Sequence, residues 1–172
     1  MTVIRQSVEA DFVAILTIIN DASQAYRDVI PTDRWHEPYM PPEELTREMH
    51  TGGVVFWVAE EDGQVRGVMG MQDKGDVALV RHAYVASSTQ RSGLGTRLLR
   101  HVEGCTDKPI LIGTWAAASW AIDFYRRNGY TLVDDDQKDR LLRRYWSIPV
   151  RQIETSVVLG NARWVREQAP TR

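Results

Sequence analysis

The chain has 172 residues, 43% apolar and 26% charged, with a net charge of −2 at neutral pH. That length suits one domain over residues 1–172. The slight negative charge speaks against general affinity for nucleic acid or an anionic membrane, and a lone cysteine, Cys105, excludes an intrachain disulfide or a cysteine metal cluster. No apolar run reaches the roughly 20 residues of a membrane span, and no signal-peptide core opens the chain, so a cytoplasmic protein is expected.

Residues 2–6 alternate and read as a strand. Ser7 stands where a helix N-cap belongs, with Glu9 and Asp11 in the first turn. Phe12, Ile15, Leu16 and Ile19 then mark the apolar stripe of a helix that runs to Tyr26. Residues 29–44 hold four of the seven prolines together with Trp35, His36 and Tyr39; the missing backbone donors make this a stiff, aromatic-rich loop. A helix restarts over 41–50, with proline in its opening turn where the absent N–H does no harm. Strands at 54–61 and 64–73 are joined by the hairpin pair Asp62-Gly63, and a third β run, 76–85, follows Lys74-Gly75.

A helix from Gly93 to Glu103 carries Leu94, Leu98, Leu99 and Val102 on one face, and 108–115 is a short apolar run typical of a buried strand. The next helix ends at Asn128-Gly129, a C-cap pair. Residues 130–134 are strand-like. Residues 137–146 are amphipathic, with Leu141, Leu142, Tyr145 and Trp146 on one side and four basic residues opposite. Residues 153–164 supply a last strand, whose edge suits a homodimer. Trp57, Trp115 and Trp120 are expected in the core or on the sheet, and Cys105 reads as a small buried residue. The order predicts a mixed α/β domain.

The strand ending at Val85 runs into QRSGLGT, residues 90–96, at a helix start. Each glycine inside a helix costs about 0.5–1 kcal/mol relative to alanine, so two within one turn need a reason. Backbone N–H groups converging at a helix N-terminus suit phosphate, and glycine removes the β-carbons that would hold a pyrophosphate away. A Walker A loop for ATP needs a lysine that GLGTR lacks, and a dinucleotide fingerprint needs a third glycine where Leu98 stands.

What remains is Q-x-x-G-x-G, Gln90 to Gly95, followed by AIDFYRRNGYTLV at 121–133, of the form A-x-x-F-Y-x-x-x-G-F/Y. Together, and in this element order, the two motifs resemble the GNAT superfamily of N-acetyltransferases. The resemblance implies a mixed α+β fold with a mostly antiparallel central sheet flanked by helices. It also implies acetyl-CoA as co-substrate and no metal. Gln90, Arg91, Ser92, Gly93, Leu94, Gly95 and Thr96 would surround the pyrophosphate, mostly through main-chain amides, and Tyr84 and Val85 would end the strand that pairs with the pantetheine arm. Tyr125 stands at the place of the family's general acid, which protonates the departing thiolate.

For a base, the strand before the loop offers Arg81 and His82. Arginine stays protonated, whereas histidine titrates near neutrality. Strand parity puts His82 on the face of Val80 and Tyr84, so it is either the base or a core residue; His36 and Glu37 are further candidates. Ala118 stands where many members carry a cofactor-binding asparagine, with Ser119 beside it. The acceptor side implied by the family is the loop at 29–40, with Trp35 and Tyr39, and the last strands. The acceptor would be a small-molecule or peptide amine, with neither nucleic acid nor membrane as partner. The basic side of 137–146 is either a solvated face or a contact for an anionic acceptor or the CoA 3′-phosphate. A non-catalytic acyl-CoA sensor or interaction module on the same fold is the alternative.

Overall fold

The computed structural model describes residues 1–169, in which seven strands form one sheet in the order β1-β2-β3-β4-β5-β7-β6. β1 (Thr2–Gln6), β2 (Val54–Glu61), β3 (Gln64–Asp73) and β4 (Ala78–Val85) are antiparallel neighbours. β5 (Ile110–Trp115) runs parallel to β4, and β7 (Ser156–Gly160) lies antiparallel between β5 and the two-residue β6 (Thr131–Leu132). The fold is therefore the mixed, mostly antiparallel architecture that the sequence suggested. The β2–β3 turn is the expected hairpin, with Asp62 and Gly63 both at positive φ (51° and 74°), as a primed two-residue turn requires.

Helices α1 (Phe12–Ala22) and α2 (Pro42–His50) pack Ile15, Ile19 and Leu45 against Phe56 and Val68. On another part of the core, α3 (Leu94–Glu103) and α4 (Ser119–Arg127) meet the sheet through Leu98, Leu99, Val102 and Tyr125 around Ile112 and Leu159. A fully buried leucine such as Leu98 or Leu99 contributes about 1.5–3 kcal/mol by leaving water. The helices α5 (Asp135–Tyr145), α6 (Val150–Glu154) and α7 (Ala162–Gln168) close the far end, where Leu142, Ile153 and Trp164 pack on Leu79, Leu111 and Val158. Among the described residues, no helix is long and apolar enough to cross a membrane.

Several local expectations change. Ser7 caps nothing; the Asp11 carboxylate organises this start instead, accepting the Val8 N–H at 2.8 Å and pairing with the Arg5 guanidinium at 2.7 Å. Hydrogen bonding from Arg5 holds the Asp11 carboxyl below its usual range, against the effect of burial. The last stretch, 153–164, is not one strand: β7 stands between α6 and α7, and Asn161 caps α7 by accepting the Trp164 N–H. With β5 on one side and β6 on the other, β7 is not a free edge for a partner. Cys105 is exposed, because it lies beyond the Gly104 end of α3 and off its apolar stripe. Trp120 is 42% exposed, whereas Trp115 is buried. Lys138 is buried, not solvated: one turn before Leu142 it falls on the apolar stripe of α5, and its Nζ donates to the Ile153 carbonyl at 3.1 Å.

One irregularity positions the site. The parallel pairing of β4 with β5 ends at Val80 opposite Ile112, although both strands continue. Along β3, Gly70 faces Arg81 but Val68 faces Tyr84, so β4 carries one extra residue there, and His82 takes a left-handed φ of 50°. Such a bulge bends its strand. Beyond it, β4 and β5 part company.

Candidate active site

Two cavities lie at the parted strands. The larger, about 580 Å³, is lined by residues 90–96, by Val85 and by Trp120 and Phe124 of α4. The smaller, about 160 Å³, reaches between Arg81–Tyr84 of β4 and Ile112–Trp115 of β5. Tyr26, Ala83, Tyr84 and Tyr125 line both and form the boundary between them.

At the floor of the larger cavity, the turn into α3 takes its shape from positive φ at Arg91 (66°) and Gly93 (80°). Gly93, the expected first residue of the helix, is instead the N-cap of α3, which starts one residue later at Leu94, and no side chain caps the helix. The first-turn amides of Leu94, Gly95 and Thr96 therefore have no intrahelical partner and stay available to an anion at the positive end of the helix. The two glycines serve different ends. Gly93 is required by its backbone conformation, since a β-carbon in the left-handed region is strained. Gly95 is not: a β-carbon there would approach Phe124 at 3.4 Å and Val85 at 3.7 Å, an ordinary fit. What Gly95 does is keep side-chain bulk off the cavity wall beside the free N–H groups of the first turn. The Leu94 side chain is buried in the core, so only its backbone faces the cavity. Arg91 and Arg127 add positive charge at the wall.

The boundary between the cavities is phenolic. The ring of Tyr84 meets Tyr26 and Tyr39 edge-on, with centroids 6.3 and 6.5 Å apart. Burial raises the Tyr26 hydroxyl to about 12, helped by Tyr39. Burial likewise pushes Tyr125 above its ordinary value, with a smaller contribution from Tyr26. All of these groups are neutral at physiological pH, so Tyr125 has a proton to give.

On the smaller cavity, His82 and Arg81 converge on Glu48 of α2. His82 Nε2 lies 2.5 Å from Glu48 Oε2, Arg81 Nη2 lies 3.2 Å from Oε1, and Arg81 Nη1 donates to Gln72 at 3.0 Å. Burial disfavours the Glu48 carboxylate, but the hydrogen bond and charge of His82, joined by Arg81, prevail and hold the carboxyl below its usual range. The bulge explains why both side chains reach α2. Strand parity fails at the extra residue: Val80 packs in the α3–α4 core, while His82 stacks on Phe56 of the α1–α2 core at 5.9 Å. His82 thus keeps the side of Tyr84 and loses that of Val80, contrary to simple alternation.

The other expected residues fall as follows. Tyr39 lines the smaller cavity, but Trp35 does not; it stacks on Tyr39 from behind at 5.7 Å. His36 and Glu37 are exposed and line neither cavity. Ala118 is fully buried at the N-cap of α4, with no side-chain donor to offer, and Ser119 is exposed. Glu48, Tyr26, Trp146 and Gln152 escaped sequence reasoning. A signal for Glu48 existed: it sits three residues after the buried Leu45, so a carboxylate falls on the inward stripe of α2. No group of acidic, histidine or cysteine side chains that could hold a metal occurs among the described residues.

The fold has known counterparts. The family model described as an acetyltransferase (GNAT) domain matches residues 19–144. No curated protein sequence matches the chain. Among solved structures, the PaiA N-acetyltransferase of Thermoplasma acidophilum in complex with coenzyme A is 14% identical with a TM-score of 0.70, over 94% of this chain and 98% of that one. A GNAT-family acetyltransferase of Staphylococcus aureus Mu50 is 16% identical at the same TM-score of 0.70, with coverage of 94% and 98%. The ribosomal-protein-S18-alanine N-acetyltransferase of Escherichia coli is 16% identical with a TM-score of 0.65, over 94% of this chain and 93% of that one. At these identities the likeness is one of fold; the family model, which matches well over half of the chain, is what shows that the protein belongs to the GNAT acetyltransferase domain family.

Proposed function

We propose that the protein is an N-acetyltransferase that moves the acetyl group of acetyl-CoA to a primary amine by direct attack. The observation that carries this reading is the meeting of two cavities at Tyr84 and Tyr125, one floored by uncapped helix amides and the other edged by the His82–Glu48 pair. Acetyl-CoA supplies an acyl group already activated as a thioester. The amides of residues 93–96 hold the pyrophosphate, Gln90, Arg91 and Ser92 flank it, and Arg91 and Arg127 are placed for a further phosphate. On the side away from β3, the end of β4 at Tyr84–Val85 has no partner strand and offers backbone groups to the pantetheine arm.

His82 takes a proton from the entering ammonium, and Glu48 holds the imidazole in place. The amine nitrogen attacks the thioester carbonyl carbon, the C–S bond breaks, the neutral Tyr125 hydroxyl donates its proton to the departing sulfur, and the second proton of the nitrogen goes to the Tyr125 oxygen to restore the phenol. The test is an assay of free CoA thiol with a panel of amines. Tyr125→Phe should lower turnover tenfold or more with acetyl-CoA binding retained; unchanged turnover removes Tyr125 from the mechanism.

The alternative, a non-catalytic acyl-CoA-binding module, is favoured by one feature, the absence of a side-chain donor at Ala118. Binding of acetyl-CoA with no CoA released for any amine would choose it.

A further inference from the structure

The smaller cavity owes its outer wall to an insertion. β6 and β7 are sheet neighbours and antiparallel, yet residues 133–155 between them fold into α5 and α6 instead of a short turn. Leu142, Trp146, Ile148 and Gln152 of this segment line the cavity. The wall is held from several directions. Arg144 and Tyr145 both donate to Asp76, at 2.6 and 2.7 Å, and Lys138 ties α5 to the Ile153 carbonyl of α6. The Trp146 ring covers Gly113 of β5 so closely that a β-carbon there would come within 3.2 Å. Across the mouth, Arg151 of α6 pairs with Asp33 of the aromatic loop at 3.4 Å.

The space left is small, rich in aromatic rings and edged by polar groups. A volume of about 160 Å³, at about 15 Å³ for each water-sized group, admits about ten non-hydrogen atoms. The walls carry the rings of Tyr26, Tyr39, Trp115 and Trp146 with Ile112 and Leu142, interrupted by the polar groups of Arg81, His82, Thr114, Gln152 and Ser156. Such rings accept an aromatic body and tolerate an ammonium by cation–π attraction. Among the described residues no carboxylate lines the cavity, and the nearest one in the network, Glu48, already serves Arg81 and His82. A second cation on the acceptor would meet Arg81 and find no partner, which is costly in a partly desolvated site.

We propose that the acceptor is a compact primary monoamine with a single aromatic or apolar body of about ten non-hydrogen atoms, and that the α5–α6 segment, through Trp146 and Gln152, sets its size. The proposal rests on the transferase reading given above. The test measures kcat/KM by CoA release with 2-phenylethylamine, 2-(1-naphthyl)ethylamine, spermidine and a pentapeptide with a free N-terminus, alongside calorimetric binding of acetyl-CoA. The phenyl compound is expected to exceed both spermidine and the pentapeptide by about 10-fold or more. Trp146→Ala should raise the naphthyl-to-phenyl ratio by about 10-fold, the scale of discrimination by pocket size. Gln152→Trp, on a partly exposed helix, should lower turnover of the phenyl compound with acetyl-CoA affinity and melting temperature unchanged, which covers the case in which Trp146→Ala fails to fold. Turnover of spermidine or the pentapeptide equal to that of the phenyl compound would overturn the proposal alone, as would unchanged ratios in both variants. Acetyl-CoA binding without turnover of any amine would overturn the transferase reading and this proposal with it.

Discussion

Replacing Glu48 by glutamine tests the site at its most connected residue. The carboxylate is 14% exposed and bridges His82 and Arg81; Arg81 is 27% exposed and keeps its bond to Gln72. Breaking a fully buried pair costs about 3–5 kcal/mol, and the partial access of water to Arg81 reduces this to about 2–3 kcal/mol. For a chain of this size that is a fall in melting temperature of about 5–10 °C, read by circular dichroism. The pH dependence has a definite sign. The native Glu48 carboxyl is held below its ordinary value, so its contribution is complete above the ordinary carboxylate range and is lost as the pH falls through the native value. The gap between wild type and Glu48→Gln should therefore be constant from neutral to weakly acid pH and close below that. In the same variant, amine turnover should fall about 10-fold or more, because His82 loses the group that holds it. A neutral-pH difference below about 0.5 kcal/mol, the range of an ordinary surface change, would refute the reasoning. A gap that widens on acidification would refute it equally.

The glycine pair at the head of α3 separates backbone need from ligand need. Gly93→Ala, at φ 80°, should cost about 1–2 kcal/mol of stability and weaken acetyl-CoA binding together. Gly95→Ala should leave the melting temperature unchanged or raise stability by up to about 1 kcal/mol, since alanine favours the helix, yet weaken acetyl-CoA binding measured by calorimetry. Equal affinity in Gly95→Ala and wild type would show that no ligand approaches that turn closely. At the far end of the sheet, a β-carbon on Gly160 would lie 2.5 Å from the Trp164 ring. Gly160→Ala should cost about 1–3 kcal/mol by overpacking in urea denaturation, with acetyl-CoA affinity intact in the folded fraction.

The donor half of the site was legible because its conformation is local. A left-handed glycine, a helix start without a cap and a tyrosine in the last turn of α4 are properties of neighbouring residues, and the motif around 90–96 and that around 121–130 each lie in one stretch of chain. The alternation at His82 was misread because one extra residue in β4 inverts which side chains share a face, and residue pattern alone does not show where a strand bulges. The helices α6 and α7 went unread for a related reason. They span five and seven residues, too short to display a 3.6-residue period.

The sequence by itself determined the fold family, the glycine turn at the head of α3 and the tyrosine of the second motif, since each depends on residues that lie close together in the chain. The tertiary structure alone decided the acceptor half. Glu48 meets His82 across 34 positions, and the cavity wall is assembled from β4, β5, the aromatic loop and the α5–α6 insertion. Those side chains share no local pattern. They meet only because packing against the parted strands brings their backbones there.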